Sequence, residues 1–540
     1  MTRTTERPAA SPAARRAPAW AAALAGVLAG AVGLAVAELV AAVIAPGAST
    51  VFAGGAAVID AAPRWLKDFA VETFGTTDKA VLLGTMGVVL AVGAAAAGLL
   101  ELRRRPWGAV LVGAVGIAGA VTAVLRPDAT ALWAVPSLVG IGAAVLVLRL
   151  ATQRLAPAWS SGGAAEPARR SDAAGVPERG ADGAGAMDRR GFLVVAGAAA
   201  GTTVLALVGA RLLSAGATAV KAARETLRLP VPRTPAPSVP AGADLRIAGL
   251  TPYVTPAADF YRIDTALRVP QIDPAHWSLE VHGLVDEPFT LSWDELLALP
   301  MQEHHVTLAC VSNEVGGDLI GNALWLGYPI GALLERAKPR AGADMVLSRS
   351  HDGFTAGTPL EVLRDPARTS LLAIGMNGEP LPVAHGFPAR LVVPGLYGYV
   401  SATKWVTSLT VTTFAADQGY WTPRGWSARG PVKVQSRIDV PRGSASAGSV
   451  TVAGVAWAQH TGIGKVEVRA DSGPWVQAEL ADTVGPDTWR QWRASLPLAR
   501  GEHTLEVRAT DANGQVQTEA EAPVAPDGAT GWHRISVSVT

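Results

Sequence analysis

Few residues in this chain have the types and spacing for chemistry beyond packing. Its one cysteine, Cys310, closes the apolar run that begins at His304 and is followed by Val311, Ser312 and Asn313. A thiolate at the end of a strand, ahead of a Ser-Asn turn, can project into a cleft as a single soft ligand, and soft ligands suit soft or high-valent metals. A lone cysteine in an apolar strand is more often a small packing residue, so its surroundings must decide between the two. The adjacent His304 and His305 cannot both join it, because neighbouring strand residues face opposite sides. No HxxxH or HExxH spacing of the zinc type occurs in the chain. One thiolate does not build a metal centre, so the other ligands of any centre here must arrive with an organic cofactor.

The elements that would position Cys310 read as a mixed domain over 250–438. WSLEVHGLV, HHVTLAC, ARLVVPGLYGYV and WVTSLTVTTF are strand-like runs between Pro, Gly and Asn turns, while SWDELLAL and IGALLERA read as short helices. Over 439–540 only strands recur, among them SVTVAGVAWA, HTLEVRATDANG and HRISVSVT, at the spacing of an immunoglobulin-like sandwich.

Before residue 215 the chain is a different material. The whole sequence is 49% hydrophobic with mean hydropathy +0.26, and the excess lies in apolar runs at 20–44, 80–100, 107–125, 131–148 and 192–213. These predict five membrane spans, four of them within 1–155. Their repeated Gly and Ala would let helix backbones approach closely. Arg3, Arg7, Arg15 and Arg16, then Arg103, Arg104 and Arg105, then the arginines between 149 and 190 flank the spans on one side. The positive-inside rule makes that side cytoplasmic and puts the C-terminal half outside the cytoplasmic membrane. Residues 156–186 are Ala, Gly, Pro and Arg rich and predict a flexible cytoplasmic linker. Arg189 and Arg190, followed by Gly191-Phe192-Leu193, resemble a twin-arginine export signal over 187–214. The Pro-rich stretch 215–249 predicts an extended spacer. Glu38, inside the first span, is either a functional carboxylate or one that snorkels to the interface.

The bulk numbers exclude some classes. A net charge of +1 and no basic stripe interleaved with aromatics give no case for a nucleic-acid partner. One cysteine rules out an internal disulfide, an iron–sulfur centre and a CxxCH haem built by this chain alone. All nine histidines fall at or after His276, so the spans hold none with which to ligate haem.

Three ordered strings resemble the sulfite oxidase superfamily of molybdopterin-dependent oxidoreductases: FYRIDTALRVPQIDPAHWSLEVHG from Phe260, LACVSNEVGGDLIGNALWLG around Cys310, and HGFPARLVVPGLYGYVSATKW from His385. The likeness runs from Phe260 to the C-terminus, whose module resembles the family's dimerisation domain and so implies a homodimer. The resemblance implies a Mo-molybdopterin cofactor with Cys310 as metal ligand and Asn313 beside it. It implies pterin contacts at Ile263, Asp264, Thr265 and Ala266, and phosphate binding by His385, Arg390 and Lys404. A phosphate and an anionic dithiolene need fixed cations, and Arg390 supplies a planar fork where Lys404 supplies a point charge.

The chain departs from the family's pattern in the pterin-contacting segment and, with a bearing on the substrate, after Asn313. Asp264-Thr265-Ala266 stand where the sulfite oxidases have Arg-Asn-His, and Asn313 is followed by Glu314 and Val315 where sulfite-oxidising members have two arginines. Trp426, in YWTPRGWSARGP, stands in place of a substrate-side tyrosine, with Tyr397 and Arg424 as further pocket residues. Such a pocket suits a neutral oxide better than a dianion. The expected reaction is oxygen-atom transfer on a small sulfur compound or an S- or N-oxide, with electrons exchanged with a separate partner such as a cytochrome. The competing class is a non-catalytic, membrane-tethered binding module on the same fold.

Overall fold

The computed structural model describes residues 19–44, 48–63, 78–126, 129–155 and 218–540, with a few isolated positions between them. The expected linker at 156–186, the paired arginines at 189 and 190 and the fifth span at 192–213 lie outside these stretches. The chain divides into two compact units, Met1–Ala215 and Gly216–Thr540.

In the first unit, four helices among the described residues are long and apolar enough to cross a membrane: Ala19–Ile44, Lys79–Arg103, Trp107–Val124 and Ala131–Gln153. They are apolar all round, and side chains such as Val88, Val89, Val92 and Ile117 point outward. Their small residues do close the packing. A Cβ on Gly26 would meet Ala94 O at 2.0 Å and one on Gly98 would meet Ala22 O at 2.0 Å, while Gly33 and Gly140 abut each other in the same way. A further helix, Thr50–Ala61, was not legible as a span because it is only 12 residues long. It explains Glu38, whose carboxylate accepts from Ser49 Oγ at 2.7 Å and Val51 N at 3.2 Å. The structure thus gives Glu38 a capping role at the positive end of that helix.

The second unit opens with a helical turn across 218–226, where an extended spacer was expected. Arg224 donates to Leu381 O and Pro380 O, each at 2.8 Å, and the chain then runs beside Met301 and Glu303 through backbone hydrogen bonds from Arg233 and to Thr234. This segment therefore lies against its domain rather than standing off it. The first sheet has the order β2-β1-β10-β5-β6. Its strands are β1 Ser278–Gly283, β2 Phe289–Ser292, β5 Met345–Ser350, β6 Thr355–Pro359 and β10 Val406–Thr412, with β1 parallel to β10. The second has the order β3-β4-β7-β8 with β9 paired on β7, from β3 Gln302–Ala309, β4 Ile320–Pro329, β7 Leu371–Met376, β8 Glu379–Pro380 and β9 Arg390–Val392. The two expected short helices are present. Trp293–Leu297 starts at a Ser292/Glu295 capping box. Ile330–Ala337 buries Ile330, Leu333, Leu334 and Ala337 and stops where Lys338 turns left-handed.

From Gln435 onward two sheets enclose one apolar core that includes Val466, Trp492 and Val507. One has the order β11-β13-β17-β16 and the other β12-β19-β18-β14-β15. Their long strands are β11 Gln435–Val440, β13 Gly448–Trp457, β14 Ile463–Ala470, β17 Arg490–Leu498, β18 Gly501–Asp511 and β19 His533–Val539. The short ones are β12 Ser444–Ala445, β15 Val476–Gln477 and β16 Glu479–Leu480. The free edge of β3 is covered by this region, because Thr307 N donates to Asp487 O and Gln459 Nε2 donates to Thr307 O.

Candidate active site

Strand β3 ends at Ala309, and the next ten residues form the loop that returns to β4. Cys310 sits at its root, 9% exposed. Its amide donates to Leu319 O at 2.9 Å and its carbonyl accepts from Asn313 N at 3.1 Å. Asn313 Oδ1 accepts from Leu319 N at 2.8 Å, so one buried side chain closes the loop. The Ser312 amide points at the sulfur from 3.4 Å. Burial pushes the Cys310 thiol up, and the Ser312 and Val311 amides pull it part of the way back. Glu314 and Asp318 lie exposed on the same loop. His304 and His305 do diverge: His304 Nε2 lies 2.8 Å from Asp487 Oδ2, while His305 is buried and its pKa is lowered by burial, then by His304.

A second, buried cationic group forms around Arg390, linked to the thiol through Tyr261, on which both act electrostatically. Arg390, the first residue of β9, is 5% exposed and donates from Nη1 to His385 O at 3.1 Å. Its guanidinium carbon lies 5.1 Å from the centre of the Trp325 ring, and burial pushes its pKa down to about 10. Burial, then the charges of Arg390 and Lys404, push His385 down to about 4, so its imidazole is neutral near pH 7. Lys404 is also sunk by burial, to about 8, even though its Nζ lies 2.8 Å from Asp264 Oδ2. Arg262 reaches the same carboxylate oxygen at 2.9 Å from the solvent side.

Sequence reasoning placed no role on Tyr261, which lies inside the first family-like string. Its pKa is raised by burial first, next by Cys310, and drawn back by Arg390, so the ring lies within electrostatic reach of both the thiol and the guanidinium. Phe260 stacks on it at 5.3 Å and meets the His385 and Trp325 rings edge-on at 5.7 Å each. The quoted string contained both aromatics, and the sign missed was an apolar pair directly before the polar segment.

The remaining expected site residues fall in three places. Thr265 Oγ1 donates to Asp352 at 3.4 Å, Ala266 is buried in the main core, and Ile263 is 48% exposed. Tyr397 is buried and pushed up to about 12 by burial, with Cys310 a smaller cause. Its hydroxyl accepts from Lys433 N at 3.5 Å and abuts Gly528, which turns it toward the C-terminal region. Trp426 packs on Tyr399 and Trp421. Arg424 stacks over Tyr420 at 3.7 Å and donates to its carbonyl at 2.6 Å. These contacts tie Trp426 and Arg424 into one aromatic cluster.

The arrangement defines a class before any comparison is made. Among the described residues no group of three or more His, Cys, Asp or Glu could hold a metal. A single thiol, with a buried cationic group in reach of the same Tyr261 ring, therefore suits a metal whose other ligands belong to an anionic organic group. The comparisons agree with this. The sequence profile of the oxidoreductase molybdopterin-binding domain matches residues 266–421. The uncharacterized oxidoreductase YuiH of Bacillus subtilis is 37% identical over 158 residues, which are 29% of this chain and 76% of that protein. Mitochondrial sulfite oxidase of Mus musculus is 30% identical over 344 residues, 53% of this chain and 62% of that one. Thus the chain spans about three fifths of the mitochondrial sulfite oxidases it resembles. The solved sulfane dehydrogenase of Paracoccus pantotrophus aligns with TM-score 0.47 and 23% identity, covering 53% of this chain and 81% of that one. The chain belongs to the molybdopterin-binding oxidoreductase family, with Mo-molybdopterin as its cofactor.

Proposed function

We propose that the chain is a membrane-anchored oxidoreductase that transfers an oxygen atom to or from a small sulfur compound, or an S- or N-oxide, outside the cytoplasmic membrane. Electrons pass to or from a separate partner such as a cytochrome. The four described apolar helices, with the segment at 187–214, form the anchor, and the sheets after Gln435 act as an immunoglobulin-like dimerisation module. The observation that carries the reading is the burial of the chain's one thiol within electrostatic reach of Tyr261 and Tyr397, with Tyr261 in reach of the buried Arg390 as well.

When bound, the molybdenum–pterin group supplies two-electron oxygen-atom transfer. Cys310 holds the metal, with Asn313 fixing the loop around it. Arg390 and neutral His385 hold the phosphate end, Lys404 adds its charge there, and residues 263–266 line the pterin. Trp426 and Arg424 border the substrate side, and Tyr397 closes it toward the C-terminal sheets. Glu314 and Val315, standing where the sulfite-oxidising relatives carry cations, favour a neutral oxide over a dianion.

The test is elemental analysis of the full chain from a host that makes molybdopterin, followed by two assays. Near-stoichiometric molybdenum is expected, with reductant-dependent turnover of a dialkyl sulfoxide exceeding sulfite-dependent dye reduction. A folded chain without molybdenum, from a host that fills a control molybdoenzyme, refutes the reading. Sulfite as the faster substrate refutes the preference.

A further inference from the structure

The loop that carries Cys310 is gripped at its far end by the C-terminal sheets. His533 opens β19, and its Nδ1 accepts from the Ile438 amide at 2.9 Å. The His533 ring lies so close over Gly316 that a Cβ there would meet a ring carbon at 2.1 Å, and Gly316 takes φ +80°, so no larger residue fits. Burial, then the charge of Arg437, push His533 down to about 4, which keeps its acceptor nitrogen unprotonated near neutral pH. Arg437, on β11, is 8% exposed. Its Nη1 donates to Gly317 O at 2.8 Å, its Nη2 to Thr251 Oγ1 at 2.8 Å, and its Nε to Asp439 Oδ1 at 2.6 Å. Asp439 neutralises the buried guanidinium and also accepts from Thr251 N at 3.1 Å. From Gly317 the path to the thiol is short. Gly317 N donates to Glu314 O, Leu319 N to Asn313 Oδ1, and Cys310 N to Leu319 O.

We infer that Arg437 and His533 are positioning residues through which the C-terminal sheets fix the 310–319 loop and the direction of the Cys310 thiolate. A five-donor planar fork that binds a loop carbonyl, a second segment and its own counter-ion at once has no substitute among shorter cations. The brace therefore ties integrity of the C-terminal module to the geometry of the proposed metal ligand. Its importance for catalysis rests on the proposed role of Cys310, whereas its geometry does not.

Cys310 is the only thiol, so its reaction with a small uncharged maleimide, in the full chain purified without cofactor, reports on this loop alone. Arg437→Met should speed labelling by about tenfold, the size expected when hydrogen bonds to a charged group are lost from a local opening equilibrium. Arg437→Lys and His533→Gln should give smaller increases. Arg493→Ala, which breaks an exposed pair with Glu479 in the same sheets, should leave the rate unchanged. The acceleration should depend only weakly on urea, as local opening does. A wild-type rate in Arg437→Met overturns the brace, as does an acceleration with the urea dependence of global unfolding. If the Met variant does not fold, a wild-type rate in both Arg437→Lys and His533→Gln overturns it equally. Molybdenum content, measured separately on the wild type, tells failure of the metal-ligand reading from failure of the brace.

Discussion

Asp264→Asn should destabilise the cofactor-free chain at pH 6 and scarcely change it at pH 9. Lys404 and Asp264 form a pair with side chains only 10% and 4% exposed. Burial, the largest influence, brings Lys404 from 10.5 to about 8, with Asp264 opposing the fall and Arg390 adding to it. At about 1.4 kcal/mol per pH unit, holding this lysine charged already costs the folded state about 3 kcal/mol below pH 8. A base with a depressed pKa carries its penalty in full below the folded value and sheds it as pH rises from about 8 toward 10.5. Asparagine removes the opposing charge, so the lysine sinks further. Releasing the proton caps the added cost, which at pH 6 is at most about 2.7 kcal/mol for the two pH units between 6 and 8. At pH 9 Lys404 is mostly neutral in both proteins, so its charge no longer enters, and what remains is a neutral amine's hydrogen bond to a carboxylate against one to an amide, about 1 kcal/mol. The exposed Arg262 pair adds little at either pH. Thermal melts followed by tryptophan fluorescence should therefore show the variant about 4–6 °C lower at pH 6, at about 2–3 °C per kcal/mol for a unit of this size, and within about 2 °C at pH 9. An equal or larger deficit at pH 9 would refute the electrostatic account of this pair.

Three further outcomes are expected. Cys310→Ser should keep the wild-type melting temperature within about 3 °C, since the two side chains differ little in size, yet purify with less than about a tenth of the wild-type molybdenum because a hydroxyl is a poor substitute for a thiolate ligand. His385 and His533 are both buried as neutral rings near pKa 4. The unfolded chain takes up their protons from about pH 6.5 while the folded chain waits until about pH 4, so stability should fall across that window by about 3 kcal/mol per histidine. His385→Gln should flatten the decline, and an unchanged slope in melts from pH 7 to 4.5 would count against it. Finally, the double substitution Glu314→Arg with Val315→Arg should lower KM for sulfite by about tenfold or more through two added cations, and an unaltered KM would show that these positions do not face the substrate.

What could be read from the sequence was what neighbouring residues determine together. Four apolar runs gave four long helices because hydropathy over about 20 residues needs no tertiary context. The helix at Thr50–Ala61 escaped because it is short and takes its cap partner, Glu38, from the preceding helix. Strand β3, the Cys310 turn and the proximity of Arg390 to His385 were local too, since five residues and a tight turn separate the last two. The substrate-side trio fared differently. Residue types at Tyr397, Arg424 and Trp426 suggested a pocket, but the packing of Tyr397 against Lys433 and Gly528 and of Trp426 on Tyr399 involves remote partners, whereas Arg424 stacks on the nearby Tyr420.

The interactions that make the site specific to this chain are the ones local reading cannot reach. Lys404 looked like a free phosphate-binding charge, yet its counter-ion lies 140 residues earlier, at the position where the family's Arg-Asn-His motif has become Asp264-Thr265-Ala266. The swap therefore changes more than a pterin contact. It places a carboxylate inside the cationic group and lowers the net charge available to an anion there. The grip on the Cys310 loop comes from Arg437 on β11, 120 residues beyond Gly317, whereas Lys404 and its counter-ion both lie outside the strands. Each pairing compensates a buried charge that would be costly alone. Substitution at Asp264 should consequently show in the pH-dependent stability of the chain, whereas substitution at Arg437 should show first in the opening of the Cys310 loop, so Asp264→Asn melts and Arg437→Met labelling read the two effects separately.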